Sequence, residues 1–152
     1  MSNFSQVHEL LLHNQQLHAR VAQFYQKLSS EATSERVKMF LNTLVKHESE
    51  LSASLHTYID DAPAKILTTY FQFDQEHSVE DLFVTEFAPG QITCDDVEMI
   101  ANRLDDYFCH LYEEMRAAVD CELVQDLFEN LRLHMIEEKK RLSIDIYSIM
   151  DM

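Results

Sequence analysis

The chain can be laid against itself at a shift of 87 residues without a gap. Leu17 then meets Leu104, His18 meets Asp105, Tyr25 meets Tyr112 and Leu28 meets Met115. Further along, Val37 meets Val124, Leu44 meets Leu131, His47 meets His134, Glu50 meets Glu137 and Leu55 meets Leu142. Within each half the apolar residues recur at intervals of three and four. Val7, Leu10, Leu11, Leu17, Val21, Phe24 and Leu28 form one ladder, and Val37, Phe40, Leu41 and Leu44 form the next. That is the period of a helix with one apolar face. A duplicated pair of such helices predicts an all-α fold built from two helical hairpins.

The punctuation agrees. One glycine and two prolines among 152 residues leave little material for tight β-hairpins. A first helix is expected over about residues 5–30 and a second, capped by Ser34, to about residue 60. Asp60-Asp61-Ala62-Pro63 reads as a break, with Pro63 suited to the first turn of a short helix. Ala64 to Phe73 is apolar and aromatic, Ser78 to Asp81 resembles another helix start, and Pro89-Gly90 is the strongest turn signal in the chain. Thr93 is positioned to cap a third helix over about residues 94–119, and Asp120 a fourth that runs close to the C-terminus.

Very short turns inside each pair make the paired helices antiparallel. The long connection between pairs can cross the full length of a bundle. The expected organisation is one domain, with a hairpin at 5–60, a crossover at 61–93 and a hairpin at 94–149.

A formal charge of −15 disfavours nucleic-acid phosphates and anionic membranes as partners and fits a solvated surface. Three cysteines, Cys94, Cys109 and Cys121, with no C-x-x-C pair, argue against a disulfide framework or a zinc knuckle. No apolar run approaches ~18 residues, and the N-terminal segment lacks the basic start and apolar core of a signal peptide. A cytoplasmic, membrane-free protein is the expectation. Phosphate-binding loops and nucleophile elbows are absent.

The chemistry sits on a repeated His-x-x-Glu step: His47/Glu50 in the first half and His134/Glu137 in the second. Each step follows an apolar ladder by one turn, so its side chains continue toward the core, where an unpartnered polar group is costly. His18 and Asp105 occupy matched positions inside the ladders of the other two helices. The six inward candidates are therefore His18, His47, Glu50, Asp105, His134 and Glu137. Imidazole and carboxylate suit iron or manganese. Glu48 and Glu138, nearer the middle of their stripes, are the alternative inward carboxylates.

This layout resembles the ferritin-like superfamily, nearest its rubrerythrin and bacterioferritin members. There one helix of each half gives a Glu with a Tyr seven residues on, and the other gives Glu-x-x-His. Here His18 precedes Tyr25, and Asp105 precedes Tyr112, by that spacing. The sequence departs from the family in having His18 and Asp105 where Glu stands, and in reversing both Glu-x-x-His steps. The resemblance implies a dinuclear iron or manganese centre, iron oxidation or oxygen and peroxide handling, and a homodimer. The competing reading is a metal-free bundle whose polar residues hydrogen-bond one another. Such a bundle would serve as a dimerisation or interaction module for an unidentified protein partner, using the aromatic segments Tyr70 to Phe73 and Phe83 to Phe87.

Overall fold

A computed structural model describes residues 3–73, 82–83 and 91–150. The protein is a helical bundle. Four long helices carry it: α1 (Val7–Glu31), α2 (Glu35–Asp61), α4 (Cys94–Ala117) and α5 (Glu122–Met150), with a one-turn helix α3 (Ala64–Leu67) after α2. Among the described residues, no helix is long and apolar enough to cross a membrane.

One feature was not expected from the sequence. Asn3–Gln6 (β1) and Tyr70–Phe73 (β2) form a two-stranded antiparallel ribbon in which Asn3 faces Phe73 and Gln6 faces Tyr70. Helix α1 consequently starts at Val7 rather than near Ser5. Gln6 supplies no side-chain cap. Instead the Val7 N–H donates to Thr69 O at 3.0 Å, so the crossover backbone satisfies a donor that the first helical turn leaves open.

The other helix starts follow local chemistry. Ser34 Oγ accepts from the Val37 N–H at 3.4 Å. Thr93 and Asp96 form a reciprocal capping box, with bonds of 3.2 and 2.9 Å. Pro63 stands just before α3. Asp120 is not the cap of α5: the Cys121 carbonyl accepts from the Val124 and Gln125 N–H groups at 3.1 and 2.9 Å, which starts the helix one residue later.

Side-chain pairs fix the helix directions. Ser29 bonds Asn42 and His18 bonds Glu48, so α1 and α2 are antiparallel. Arg116 reaches Glu129 and Lys139 reaches Asp106, so α4 and α5 are antiparallel. Asn14 meets Met115 while His18 stacks on Phe108, so α4 also opposes α1 and runs parallel to α2. The connection must therefore return along the bundle. Its described parts lie beside α1: Thr69 lies at Val7, Phe83 packs edge-on against Phe24 at 5.3 Å, and the Arg20 guanidinium lies 4.5 Å over the Phe83 ring. Arg103 of α4 donates to Leu82 O at 3.2 Å. Phe83 is thus a margin of the core rather than free surface, whereas Tyr70 is exposed. The features expected at Ser78 to Asp81, Phe87 and Pro89-Gly90 lie outside the described residues.

The core is continuous across all four long helices. Tyr25, Phe40, Phe108, Tyr112 and Phe128 are its largest fully buried side chains. Each such ring contributes roughly 2–3 kcal/mol from area removed from water. Into this core the sequence inserts Asn14, His18, His47, Glu48 and Asp105, all buried.

Candidate metal centre

His47 and Glu48 are neighbours on α2, and successive helical residues turn by about 100°. They therefore belong to different clusters. Glu48 turns toward α1, where its Oε2 lies 2.6 Å from His18 Nδ1, with both side chains almost wholly buried. The His18 ring stacks flat on Phe108, centroids 3.7 Å apart and planes 8° from parallel. Asp105 is buried on α4, where it feels the charge of Glu48. Burial, and then the negative charge of Glu48, push its carboxyl pKa up to about 7, with Lys139 opposing. Burial likewise raises the phenols of Tyr25 and Tyr112.

His47 turns toward α5. Its Nδ1 lies 3.2 Å from Glu138 Oε2, and its Nε2 lies 2.9 Å from Asp145 Oδ2. Glu138 is held from its other side: Oε1 accepts from Arg141 Nη1 at 2.9 Å and has His134 Nε2 at 3.6 Å. Oε2 is left facing the imidazole. Glu50, one turn beyond His47, is exposed and brings a third donor. One ligand atom from each of His47, Glu50 and Glu138 lies within 4.8 Å of the others, the one such set of three among the described residues.

The six residues expected from the sequence therefore do not meet at one point. His47 and Glu50 come together, and Glu138 replaces Glu137 beside them. His18 and Asp105 belong to the cluster on the α1 side. His134 is partly exposed, with its Nε2 3.6 Å from Glu138 Oε1. Glu137 is exposed on the outer side of α5. The reason is rotational: Met135, Glu138 and Leu142 continue the inward ladder of α5, and Glu137, one residue before Glu138, is carried out of it. A dinuclear centre built from the six does not fit this arrangement. A single ion held by His47, Glu50 and Glu138 does.

Asp145 escaped the sequence reading altogether. Its Oδ2 accepts from His47 Nε2, yet its side chain is about half exposed and no apolar ladder singles it out. Helical spacing alone carries a weak signal for it, since Glu138 and Asp145 lie two turns apart on one face.

A small cavity of about 100 Å³ is bordered by His18, Tyr112 and His134 with Leu51, Leu55 and Leu131. Comparison of the chain with family models finds no match, and comparisons with curated proteins and with solved structures find none either.

Proposed function

We propose that the protein binds one divalent transition-metal ion, of the iron(II) or manganese(II) type, between α2 and α5. His47, Glu50 and Glu138 are its ligands. The observation that carries this reading is the convergence of one imidazole and two carboxylates from two helices, with the other ring nitrogen already engaged. A His that donates its second N–H to a carboxylate, here Asp145, is held in one tautomer and made a better ligand. One nitrogen and two oxygens suit iron or manganese. Arg141 fixes the orientation of Glu138 without occupying the oxygen that faces His47.

The same reading takes the bundle as ferritin-like. Two antiparallel hairpins whose connection returns along α1 support it, as do the buried Tyr25 and Tyr112. The activity that this resemblance implies is oxidation of iron or reduction of oxygen or peroxide.

A metal-free bundle is the second reading, and one observation favours it. His47 with both nitrogens protonated donates to Glu138 and Asp145 at once, and Arg141 completes the charge balance. The cluster is then an ion-pair network that locks α5 to α2.

Untagged protein, stripped with chelator and dialysed against manganese(II), zinc(II) or anaerobic iron(II), separates the two. The metal reading expects one ion per chain, lost in His47→Ala and in Glu138→Gln and retained in Glu48→Gln. No bound ion with any of the three metals, in a protein as stable with chelator as without, would establish the second reading instead.

A further inference from the structure

Helix α5 carries two opposed ladders. Phe128, Met135, Leu142 and Ile149 recur every seven residues and are buried in the protein's own core. On the opposite side Asn130, Leu133, Glu137, Lys140, Ile144 and Tyr147 recur at alternating intervals of three and four. That is the seam spacing of a two-helix coiled coil. All six are exposed, with Leu133 at 46%, Ile144 at 66% and Tyr147 at 73%. Large apolar side chains in seam register on a solvent-facing helix mark a contact surface.

The charges within the seam say what covers it. Glu137 and Lys140 occupy its middle, and among the described residues neither has an ion-pair partner within the chain. Two copies of α5 laid parallel would place Glu137 on Glu137 and Lys140 on Lys140. Laid antiparallel about a twofold axis midway between residues 138 and 139, the stripe complements itself. Leu133 of each copy faces Ile144 of the other, Asn130 faces Tyr147, and Glu137 faces Lys140 twice. In antiparallel pairs the two seam positions do alternate in this way, and polar residues placed there set register and orientation.

We propose that this face of α5 pairs with α5 of a second copy of the chain in an antiparallel, twofold-symmetric dimer whose orientation is set by two Glu137–Lys140 ion pairs. The contact runs about 26 Å along the helix. It lies on the side of α5 opposite its core ladder, so it stands or falls independently of the metal reading.

Sedimentation equilibrium of the full chain over a range of concentrations tests it, with circular dichroism confirming equal helix content in every variant. The wild type is expected to dimerise, more weakly at high salt. Glu137→Lys or Lys140→Glu alone sets like charges against each other twice and is expected to weaken the dimer about tenfold or more. The double exchange Glu137→Lys with Lys140→Glu restores the opposite pairs and is expected to recover an affinity within about threefold of wild type. A wild type that stays monomeric up to about 100 μM, well above the concentrations at which specific interfaces form, would overturn the proposal. So would single reversals that leave the dimer intact, or a folded double exchange that fails to restore it.

Discussion

The Glu48 carboxylate lies 2.6 Å from His18 Nδ1, and this pair is more deeply buried than the His47/Glu50 step of the repeat. A buried polar pair of this kind is weak evidence for stability, because desolvation offsets attraction, but removing one partner strands the other. Glu48→Leu alone is expected to lower unfolding free energy by about 3 kcal/mol, and His18→Leu together with Glu48→Leu by clearly less than that single change. Urea unfolding at pH 7 checks it. A double variant as unstable as the sum of its singles would mean that the two side chains act separately.

Asp105 makes stability depend on pH in an unusual direction. Its folded pKa, raised to about 7 by burial and then by Glu48, lies above its unfolded value, so the folded state holds the proton more tightly. The contribution is therefore fully present below the unfolded pKa near 4 and is lost as pH rises through about 7. Asp105→Asn removes this dependence. The stability of the variant relative to wild type should rise by on the order of 2–4 kcal/mol between pH 4 and pH 8. A difference that stays flat across that range would show that Asp105 titrates normally.

The start of α4 rests on Thr93 and Asp96. Thr93→Ala removes the acceptor for the Asp96 N–H and is expected to cost about 1 kcal/mol. Thr93→Ser should recover most of it. Thermal unfolding of the two variants side by side measures the effect, and an unchanged midpoint in Thr93→Ala would show that the crossover alone positions the helix.

What the sequence made legible followed from spacing. The apolar ladders located the four long helices to within about two residues, the usual ambiguity at helix ends. The capping residues Ser34 and Thr93 were readable from local chemistry. The ribbon between β1 and β2 was not, because a strand pair joining the N-terminus to residues 70–73 depends on how the crossover returns, which no local pattern encodes. The site was legible in part. Matching the halves drew attention to Glu50 and Glu137 because both follow a His by three residues. The carboxylates that face inward are Glu48 and Glu138, whose repeat mates are the buried Met135 and Leu51. The two halves share a fold pattern but have placed their inward acids differently: of the residues that symmetry marked as inward, His47 is buried and Glu137 is exposed.

Asp145 is expected to tune the centre without touching the ion. It accepts from His47 Nε2 at 2.9 Å, so Asp145→Asn should weaken manganese(II) or zinc(II) binding by about tenfold while leaving the stoichiometry unchanged. Lowering the pH should weaken binding in both proteins, because imidazole and carboxylates must shed protons to bind. Isothermal titration reads both effects. Equal affinities for wild type and Asp145→Asn would remove Asp145 from the account.

The position of a bound ion is the most direct measurement. Crystals soaked with cobalt(II), with anomalous differences collected at the cobalt edge, should show one peak coordinated by a His47 ring nitrogen, Glu50 and Glu138, with ligand distances of about 2.0–2.3 Å. A peak among His18, Glu48 and Asp105 instead, or an α2–α5 cluster that stays empty while the ion binds elsewhere, would contradict a metal centre at that interface.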